Sequence, residues 1–418
     1  MRKLKTKPST QLEQRLESLN QYKIDLGLDR LESVAERLKL KENLPQIITV
    51  GGTNGKGSTL AALSSLIKTQ SKSFGAFTSP HIFKFNERFN INDKLANDDE
   101  ILAVFKTIDA AKGDINLSYF EYAFLAAVLL FKQAEVDVML LEVGLGGRLD
   151  AVNVLDPDAC IITTVDLDHT AWLGETVEEI AAEKAGIMRL NTPIVFGDDS
   201  MPNAIKIHAD QIGAKLIQLN KGYQLKVNDS SFNYQGEVQT FNQLNRPKLK
   251  GDWQIKNFSS ALTILLEMGY EFDSDDVQQA IDDWHIDGRL QTIQKEPLVL
   301  ADVAHNRQSV EQLVRYLKAN PVTGETRAVF SVLAEKNLDT WLGDLDSVID
   351  HWFIFELPGE RALDIWLLKQ ALVEQVTVVS QFDSGEMAYH MALQCSKPED
   401  RIIVFGSFHV LDEVFDET

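Results

Sequence analysis

The stretch "TVGGTNGKGSTL" (residues 49–60) clusters glycines around Lys56 and follows them with two hydroxyl side chains, Ser58 and Thr59. The common phosphate-binding pattern, G-x-x-x-x-G-K-[ST], sets the hydroxyl directly after the lysine. Here Gly57 intervenes. Gly51, Gly52, Gly55 and Gly57 allow the backbone to approach phosphates without Cβ clashes. Lys56 can bring a point charge to the terminal phosphates, and Ser58 or Thr59 can ligate magnesium. Taken alone, the stretch reads equally well as a glycine-rich turn carrying a surface lysine.

Three further residues could complete such chemistry. Glu142 ends the apolar run "VDVMLL" and precedes "VGLGG". A phosphate loop needs an acid at the end of a second buried strand to hold its metal, and a carboxylate there is costly unless paired or metal-bound. The alternative is a salt bridge to Arg148. The glycines behind Glu142 suggest close approach by a ligand. His169 follows the apolar strand "CIITTV" and is a candidate metal ligand or general base, or a hydrogen-bonded partner of Asp166 or Asp168. Lys184, in "AAEKAGI", reads from its surroundings as a solvated helix lysine.

These residues need elements to position them. "LPQIITV" (44–50) is a strand by its β-branched run, and "STLAALSSLIKTQ" (58–70) has helical spacing. The glycine-rich loop therefore sits between strand and helix, where backbone N–H groups face an anion. A helix over 118–135, strands over 136–144 and 158–166, a helix over 176–189 and the strand "TPIVFGD" continue the alternation, which implies a parallel sheet covered on both faces. Residues 220–250 alternate and carry turn residues, which predicts a small β-meander. The periodic pattern stops over "HIDGRLQTIQKEP" (285–297), and a domain link is expected there. Four strand candidates follow: "LVLADVAHN", "TRAVFSVLA", "HWFIFELPG" and "RIIVFGSF". The expected fold class is α/β: a first domain with a parallel central sheet (residues 1–286), which is a P-loop ATPase domain if the glycine-rich loop binds phosphate, plus a smaller Rossmann-like α/β domain (287–418).

Composition bounds the function. The chain has 418 residues, 44% hydrophobic and 25% charged, with a formal charge of −21. That charge argues against a nucleic-acid surface, which needs clustered Lys and Arg. It leaves room for a local basic pocket that takes a small anion. Two separated cysteines, Cys160 and Cys395, exclude a disulfide framework and a cysteine metal cage. No apolar run is long enough to cross a bilayer, and the basic N-terminus lacks the apolar stretch of a secretory signal. A cytoplasmic enzyme is the expectation.

The segments "GGTNGKGST", "TSPHIFKFNERFNIND", "SYFEY", "LLEVGLGGRLDAVNV", "DHTAWLGETVEEIAAEKAGI", "DGRLQ", "DVAHN" and "GSFHV" occur in this order. Together they closely resemble the bacterial bifunctional dihydrofolate synthase/folylpolyglutamate synthases, within the Mur-ligase-like family of ATP-dependent amide ligases. The resemblance runs from about residue 24 to about residue 410. It implies that GTNGKGS is the family's own form of the phosphate loop, with Gly55, Lys56, Gly57 and Ser58 around ATP. It implies magnesium, as two ions, on Ser58, Ser79, Glu142 and His169, and a carbamate on Lys184 that turns a cation into an oxygen ligand. Lys56, Glu142, His169 and Lys184 then form the catalytic set.

Asn257, Arg289, Asp302 and His305 match further ATP-binding positions, with Asn306 beside them. The pterin or folate site maps onto Ile24, Asp25 and Leu26, then Ser118, Tyr119, Phe120 and Glu121, then Leu149, Asp150 and Ala151. Phe120 is placed to stack on a pterin, although an aromatic on an apolar helix is more often core. Arg88 matches a position that helps hold a carboxylate. Arg307 departs from the family, which usually has proline there, and this puts the rigidity of that turn in question.

The implied activity joins L-glutamate to 7,8-dihydropteroate, and to the γ-carboxylate of reduced folates, through an acyl phosphate. The implied protein is a monomer without nucleic-acid or membrane partners. A ligase for a muramyl or other peptide precursor remains a rival, as does a non-catalytic ATP-binding switch.

Overall fold

The computed structural model of the chain describes residues 10–19, 27–373 and 378–415. The described chain divides into two compact units. The first holds the residues up to Lys248 and Asp252–His285, and the second holds Leu249–Gly251 and the residues from Ile286 onward.

The first unit is built on an eight-stranded sheet: β1 (Gln46–Gly51), β2 (Phe74–Phe77), β3 (Phe89–Ile91), β4 (Lys94–Leu95), β5 (Val138–Glu142), β6 (Ala159–Ile162), β7 (Pro193–Phe196) and β8 (Lys215–Gln218). Their order is β4-β3-β2-β5-β1-β6-β7-β8. Six strands run parallel, and β3 and β4 add an antiparallel hairpin at one edge. Every residue of β2, β5 and β6 is buried, as expected of parallel strands covered on both faces. The hairpin turns at Asn92 and Asp93, both at positive φ, a conformation these residue types accept.

The chain leaves β1 toward β2 on one side, while β6 lies on the other. The connections therefore diverge around β1, and the crevice beyond its carboxyl end is where such sheets bind ligands. The helix Lys56–Thr69 packs on this strand and against the helix Asp252–Glu267, which lies on β6 and β7.

The expected meander is present as β9 (Tyr223–Val227), β10 (Ser231–Gly236) and β11 (Thr240–Asn245). Two buried tyrosines fasten it to the helix Asp252–Glu267: the Tyr223 hydroxyl is 3.0 Å from Ser260 Oγ, and that of Tyr234 is 2.9 Å from Thr263 Oγ1.

The second unit has a six-stranded sheet: β12 (Gln291–Lys295), β13 (Leu298–Ala301), β14 (Thr326–Phe330), β15 (His351–Ile354), β16 (Val379–Gln381) and β17 (Arg401–Phe405), in the order β12-β13-β17-β14-β15-β16. All but β12 are parallel. The sequence pattern predicts four strands, and the structure adds β12 and β16. Both are edge strands, β12 is polar (QTIQK), and neither is fully buried. An edge strand needs no two-sided apolar run, so it leaves little periodic signal. The stretch read as a link thus contains β12.

One buried ion pair holds the start of this sheet. Arg327 Nη1 lies 2.7 Å from Asp400 Oδ2, with side chains 8% and 4% exposed. Asp400 also accepts the N–H groups of Glu325 and Lys397, each at 2.8 Å. Arg327→Met should therefore leave a buried carboxylate without its cation and cost about 3–5 kcal/mol. Urea unfolding followed on the second unit would measure this, and a loss below about 1 kcal/mol would contradict it.

Candidate active site

The carboxyl end of β1 runs into the loop Gly52–Gly55, and the helix Lys56–Thr69 begins at once. Gly55, at φ 92°, occupies the N-cap, and no side chain caps the helix. Its first amide groups are thus left to face an anion. The loop is strapped to the end of β6. Thr53 N–H donates to Thr164 O (2.8 Å), Asn54 N–H to Thr164 Oγ1 (3.1 Å), and Thr163 Oγ1 to Asn54 O (2.6 Å). Gly52 stands at φ 141°, and a Cβ there would overlap Thr163 Oγ1. Lys56 Nζ lies over its own loop, 3.2 Å from Gly52 O and 3.3 Å from Thr53 O. Asn257 presses on the loop from the helix Asp252–Glu267, since a Cβ on Gly55 would meet its Oδ1 at 2.6 Å. The Thr163–Thr164 pair was not singled out in the sequence. Its signal was available, because hydroxyl residues directly follow the apolar run of β6.

Glu142 ends β5, in register with Val50 of β1, and is 4% exposed. Its Oε2 accepts the N–H of Ser79, from the segment after β2, at 3.0 Å. Two residues singled out in the sequence thus meet at the ends of neighbouring strands. The alternative partner, Arg148, is engaged elsewhere: it pairs with Glu183 at 2.8 Å. The glycines behind Glu142 are packed closely by the chain itself. A Cβ on Gly144 would run into the Phe120 ring, and one on Gly147 would lie 2.8 Å from Glu183 O and 3.0 Å from Lys184 O. They let the chain itself come close.

Lys184, whose carbonyl meets that approach, is itself buried. It lies in the last turn of the helix Val177–Ala185 and is 4% exposed, so it is not the solvated lysine its sequence surroundings suggested. Burial lowers its pKa to about 7; the nearby charge of Lys56 lowers it further, while Asp168 and Asp150 pull the other way. Asp150 is buried too. Desolvation pushes its carboxyl up to about 6, against hydrogen bonds from backbone amides and the charge of Lys56. It accepts Leu145 N–H (2.8 Å) and Val152 N–H (3.1 Å), and so shapes the loop after β5.

His169 follows β6 with a left-handed backbone (φ 51°, ψ 38°), uncommon for a residue with a Cβ. Its N–H donates to Asp168 Oδ1 at 2.9 Å, and its ring Nε2 is 3.9 Å from the same oxygen.

Arg88 is 7% exposed and makes no ion pair among the described residues. Its Nε donates to His81 Nδ1 at 3.0 Å, which fixes that imidazole as the neutral Nε2–H form. Its guanidinium sits 5.4 Å from the Tyr119 ring centroid and 5.7 Å from that of Phe85. Burial lowers its pKa, while Tyr119, Glu142 and Glu87 raise it.

Of the expected pterin positions, Ile24, Asp25 and Leu26 lie outside the described residues. Ser118 and Glu121 form a capping box, with Glu121 N–H to Ser118 Oγ at 3.2 Å and Ser118 N–H to Glu121 Oε2 at 2.6 Å. Glu121 also pairs with Arg30 at 3.2 Å. Phe120 is half-buried, covering Gly144 with its ring 5.5 Å from that of Phe77. Leu149 is half-buried and Ala151 buried beside Asp150.

The second unit carries its own set. Asp302 follows β13 and accepts Leu290 N–H (2.8 Å) and Ala304 N–H (2.7 Å). Burial raises its pKa, opposed by Arg289, these amides and His305. The Arg289 guanidinium lies 5.2 Å from the Phe408 ring centroid. His305 Nδ1 is 2.8 Å from Val303 O. Asn306 caps the helix Arg307–Ala319, and Arg307 takes its first position, where proline is favoured for its preset φ. An ion pair from Arg307 to Glu311 (3.0 Å) and the Asn306 cap hold the turn without it.

Residues 50–265 match the Mur ligase middle domain, and residues 288–408 match the Mur ligase glutamate ligase domain. The chain is 37% identical to the dihydrofolate synthase/folylpolyglutamate synthase of Escherichia coli, over 96% of this chain and 93% of that one. It is 32% identical to the Haemophilus influenzae protein of the same name, over 93% of each. The chain belongs to the Mur ligase family, among its dihydrofolate synthase/folylpolyglutamate synthases.

Solved structures agree with this. Escherichia coli FolC in complex with DHPP and ADP is 37% identical with a TM-score of 0.91, over 97% of this chain and 96% of that one. A bifunctional folylpolyglutamate synthase/dihydrofolate synthase with Mn, AMPPNP and L-glutamate bound is 36% identical with a TM-score of 0.90, over 97% of each chain. Among the described residues no three His, Cys, Asp or Glu side chains form a metal cage.

Two outcomes follow for the ligase. Gly52→Ala should displace the loop from Thr163 and weaken ATP binding by about tenfold or more, at a cost of about 1–3 kcal/mol in stability. Calorimetric titration with ATP would check this, and unchanged affinity would refute the strap.

The second outcome concerns Lys184. Its folded pKa, about 7, lies below the ordinary 10.5, so between those values the unfolded chain binds the extra proton. Stability therefore rises with pH across that window, and below it the full cost of burying the charge remains. In CO₂-free buffer, Lys184→Met should be more stable than wild type by up to roughly 5 kcal/mol at pH 7, the gap closing toward pH 10. Denaturation midpoints that keep a constant gap would contradict this.

Proposed function

We propose that the chain is an ATP-dependent ligase that joins L-glutamate to dihydropteroate, giving dihydrofolate, and to the γ-carboxylate of reduced folates, giving folylpolyglutamates. One observation carries this reading: a phosphate loop strapped between two strands of one sheet carries Lys56, whose charge acts on a buried lysine of depressed pKa, Lys184. Relatives that match nearly the full chain are named for these activities.

A carboxylate is a poor electrophile and must be activated before an amine can attack it. In the proposed reaction, a carboxylate oxygen of the acceptor attacks the γ-phosphorus of ATP. The bond to the bridging oxygen breaks and ADP leaves. The glutamate amine then adds to the acyl carbon and sheds a proton, and inorganic phosphate departs with the former carboxylate oxygen. Catalysis of such a transfer is mostly positioning and charge neutralisation.

Lys56 and the amide groups of the uncapped helix start, at Gly55, Gly57 and Ser58, hold the phosphates. Asn257, Arg289, Asp302 and His305 serve the nucleotide. Arg88, buried and without an ion pair among the described residues, holds the acceptor carboxylate beside Glu142. Tyr119, Phe120, Leu149, Asp150 and Ala151 shape the pterin or folate site, and Ser118 and Glu121 set the helix that presents the first two.

The donors Ser58, Ser79, Glu142 and His169 fit a hard divalent cation, mostly through oxygen. Bound magnesium, proposed as two ions, neutralises charge on the transferring phosphoryl group. Lys184 loses its proton as pH rises through about 7, and the neutral amine is the form that adds to CO₂. As a carbamate it presents oxygens where a bare ammonium would repel a cation. We further propose that the protein works in the cytoplasm as a monomer.

With ATP, magnesium and glutamate present, the purified protein should release ADP when dihydropteroate is added, and separately when a reduced folate is added. Lys184→Ala should still bind ATP while turnover falls about a hundredfold. Release with the folate alone would restrict the activity to polyglutamylation. ADP release indifferent to both acceptors would overturn the reading.

A further inference from the structure

Trp284 ends the helix Ser274–Asp283 and lies just before the boundary between the two units. It is 2% exposed. Its indole N–H donates to the carbonyl of Ser58 at 3.0 Å. In a helix that carbonyl also serves the amide four residues on, and its second lone pair takes the indole. The opposite contact is equally placed: the Trp284 ring lies 5.5 Å from that of Phe258, tilted by 47°. Phe258 directly follows Asn257, the residue that presses on Gly55. One buried side chain therefore touches the first turn of the phosphate-loop helix and the neighbour of a residue that shapes the same loop.

We infer that Trp284 is a positioning residue, which sets the Ser58 hydroxyl and the Asn257 side chain in register around the bound nucleotide. The indole bond fixes the height of the helix start, and the ring contact fixes the second helix against it. Losing the N–H while keeping a ring leaves the Phe258 packing and frees the Ser58 carbonyl. The effect falls on the donor that Ser58 presents to a cation, more than on the phosphate cradle itself. This inference rests on the reading that the loop binds ATP with magnesium on Ser58.

The test compares wild type, Trp284→Phe and Trp284→Leu by equilibrium titration with ATP, with magnesium and with EDTA, alongside thermal melting. Magnesium should tighten ATP binding by wild type. Trp284→Phe should keep the affinity in EDTA and lose about fivefold of the magnesium-dependent gain, the order of one neutral hydrogen bond. Its melting temperature should stay near that of wild type. Trp284→Leu should lose affinity in both conditions.

A magnesium-dependent gain in Trp284→Phe equal to wild type's would overturn the inference. So would a parallel loss in EDTA and magnesium with a lowered melting temperature, which marks a purely structural tryptophan. Failure of wild type to bind ATP at all would instead overturn the reading on which the inference rests.

Discussion

The strap between the loop Gly52–Gly55 and Thr163–Thr164 is the constraint on which the rest of the first unit's site depends. It joins the carboxyl ends of β1 and β6 by side chain and backbone together. A loop held only by its flanking strand and helix would have many conformations, and ordering it on ATP would consume binding energy. Here the backbone bonds are already made. Gly52 admits the Thr163 hydroxyl because it lacks a Cβ, and Gly55 admits Asn257 for the same reason. The glycines in this motif thus serve protein packing as much as phosphate access.

The site's electrostatics follow from that fixed frame. Lys56, Asp168 and Asp150 act on the buried Lys184, Lys56 acts on the buried Asp150, and Glu142 acts on the buried Arg88. Each isolated charge would be costly there. The protein meets that cost in three ways: Asp150 is satisfied by backbone amides, Arg88 by a ring face and the His81 nitrogen, and Lys184 by giving up its proton near neutral pH. Only the last turns an expensive cation into a nucleophile.

Much of this was legible in the sequence because the strongest signals coincide with full burial. The runs of β1, β5 and β6 are apolar on both faces, so both their existence and the residues at their ends could be read. Edge strands escaped for the opposite reason: β12 is polar and β16 is barely buried. Lys184 is the instructive failure. Helical periodicity assigns "AAEKAGI" a lysine at the end of an ordinary amphipathic turn, and nothing local reports that the folded chain buries it. Its burial is a tertiary fact. So is the engagement of Arg148 with Glu183, which releases Glu142 from the salt bridge its neighbours suggested.

Residues marked by family resemblance divide by where their acceptor atoms go. In Asp302 both carboxylate oxygens receive backbone amides, and one of those amides belongs to Leu290, held at φ 46°. A left-handed leucine is strained, so the Asp302 bond stabilises the turn that carries Arg289. Ser118 and Glu121 likewise spend their oxygens on the capping box beneath Tyr119 and Phe120. Lys56 and Arg88 differ: they face the site with donors that the chain only partly uses. Positions of the first kind set geometry and are felt through their neighbours, while those of the second kind keep donors that the proposed reaction assigns to its anions. A shared motif therefore does not imply a shared role, and the hydrogen bonds of the folded chain separate the two.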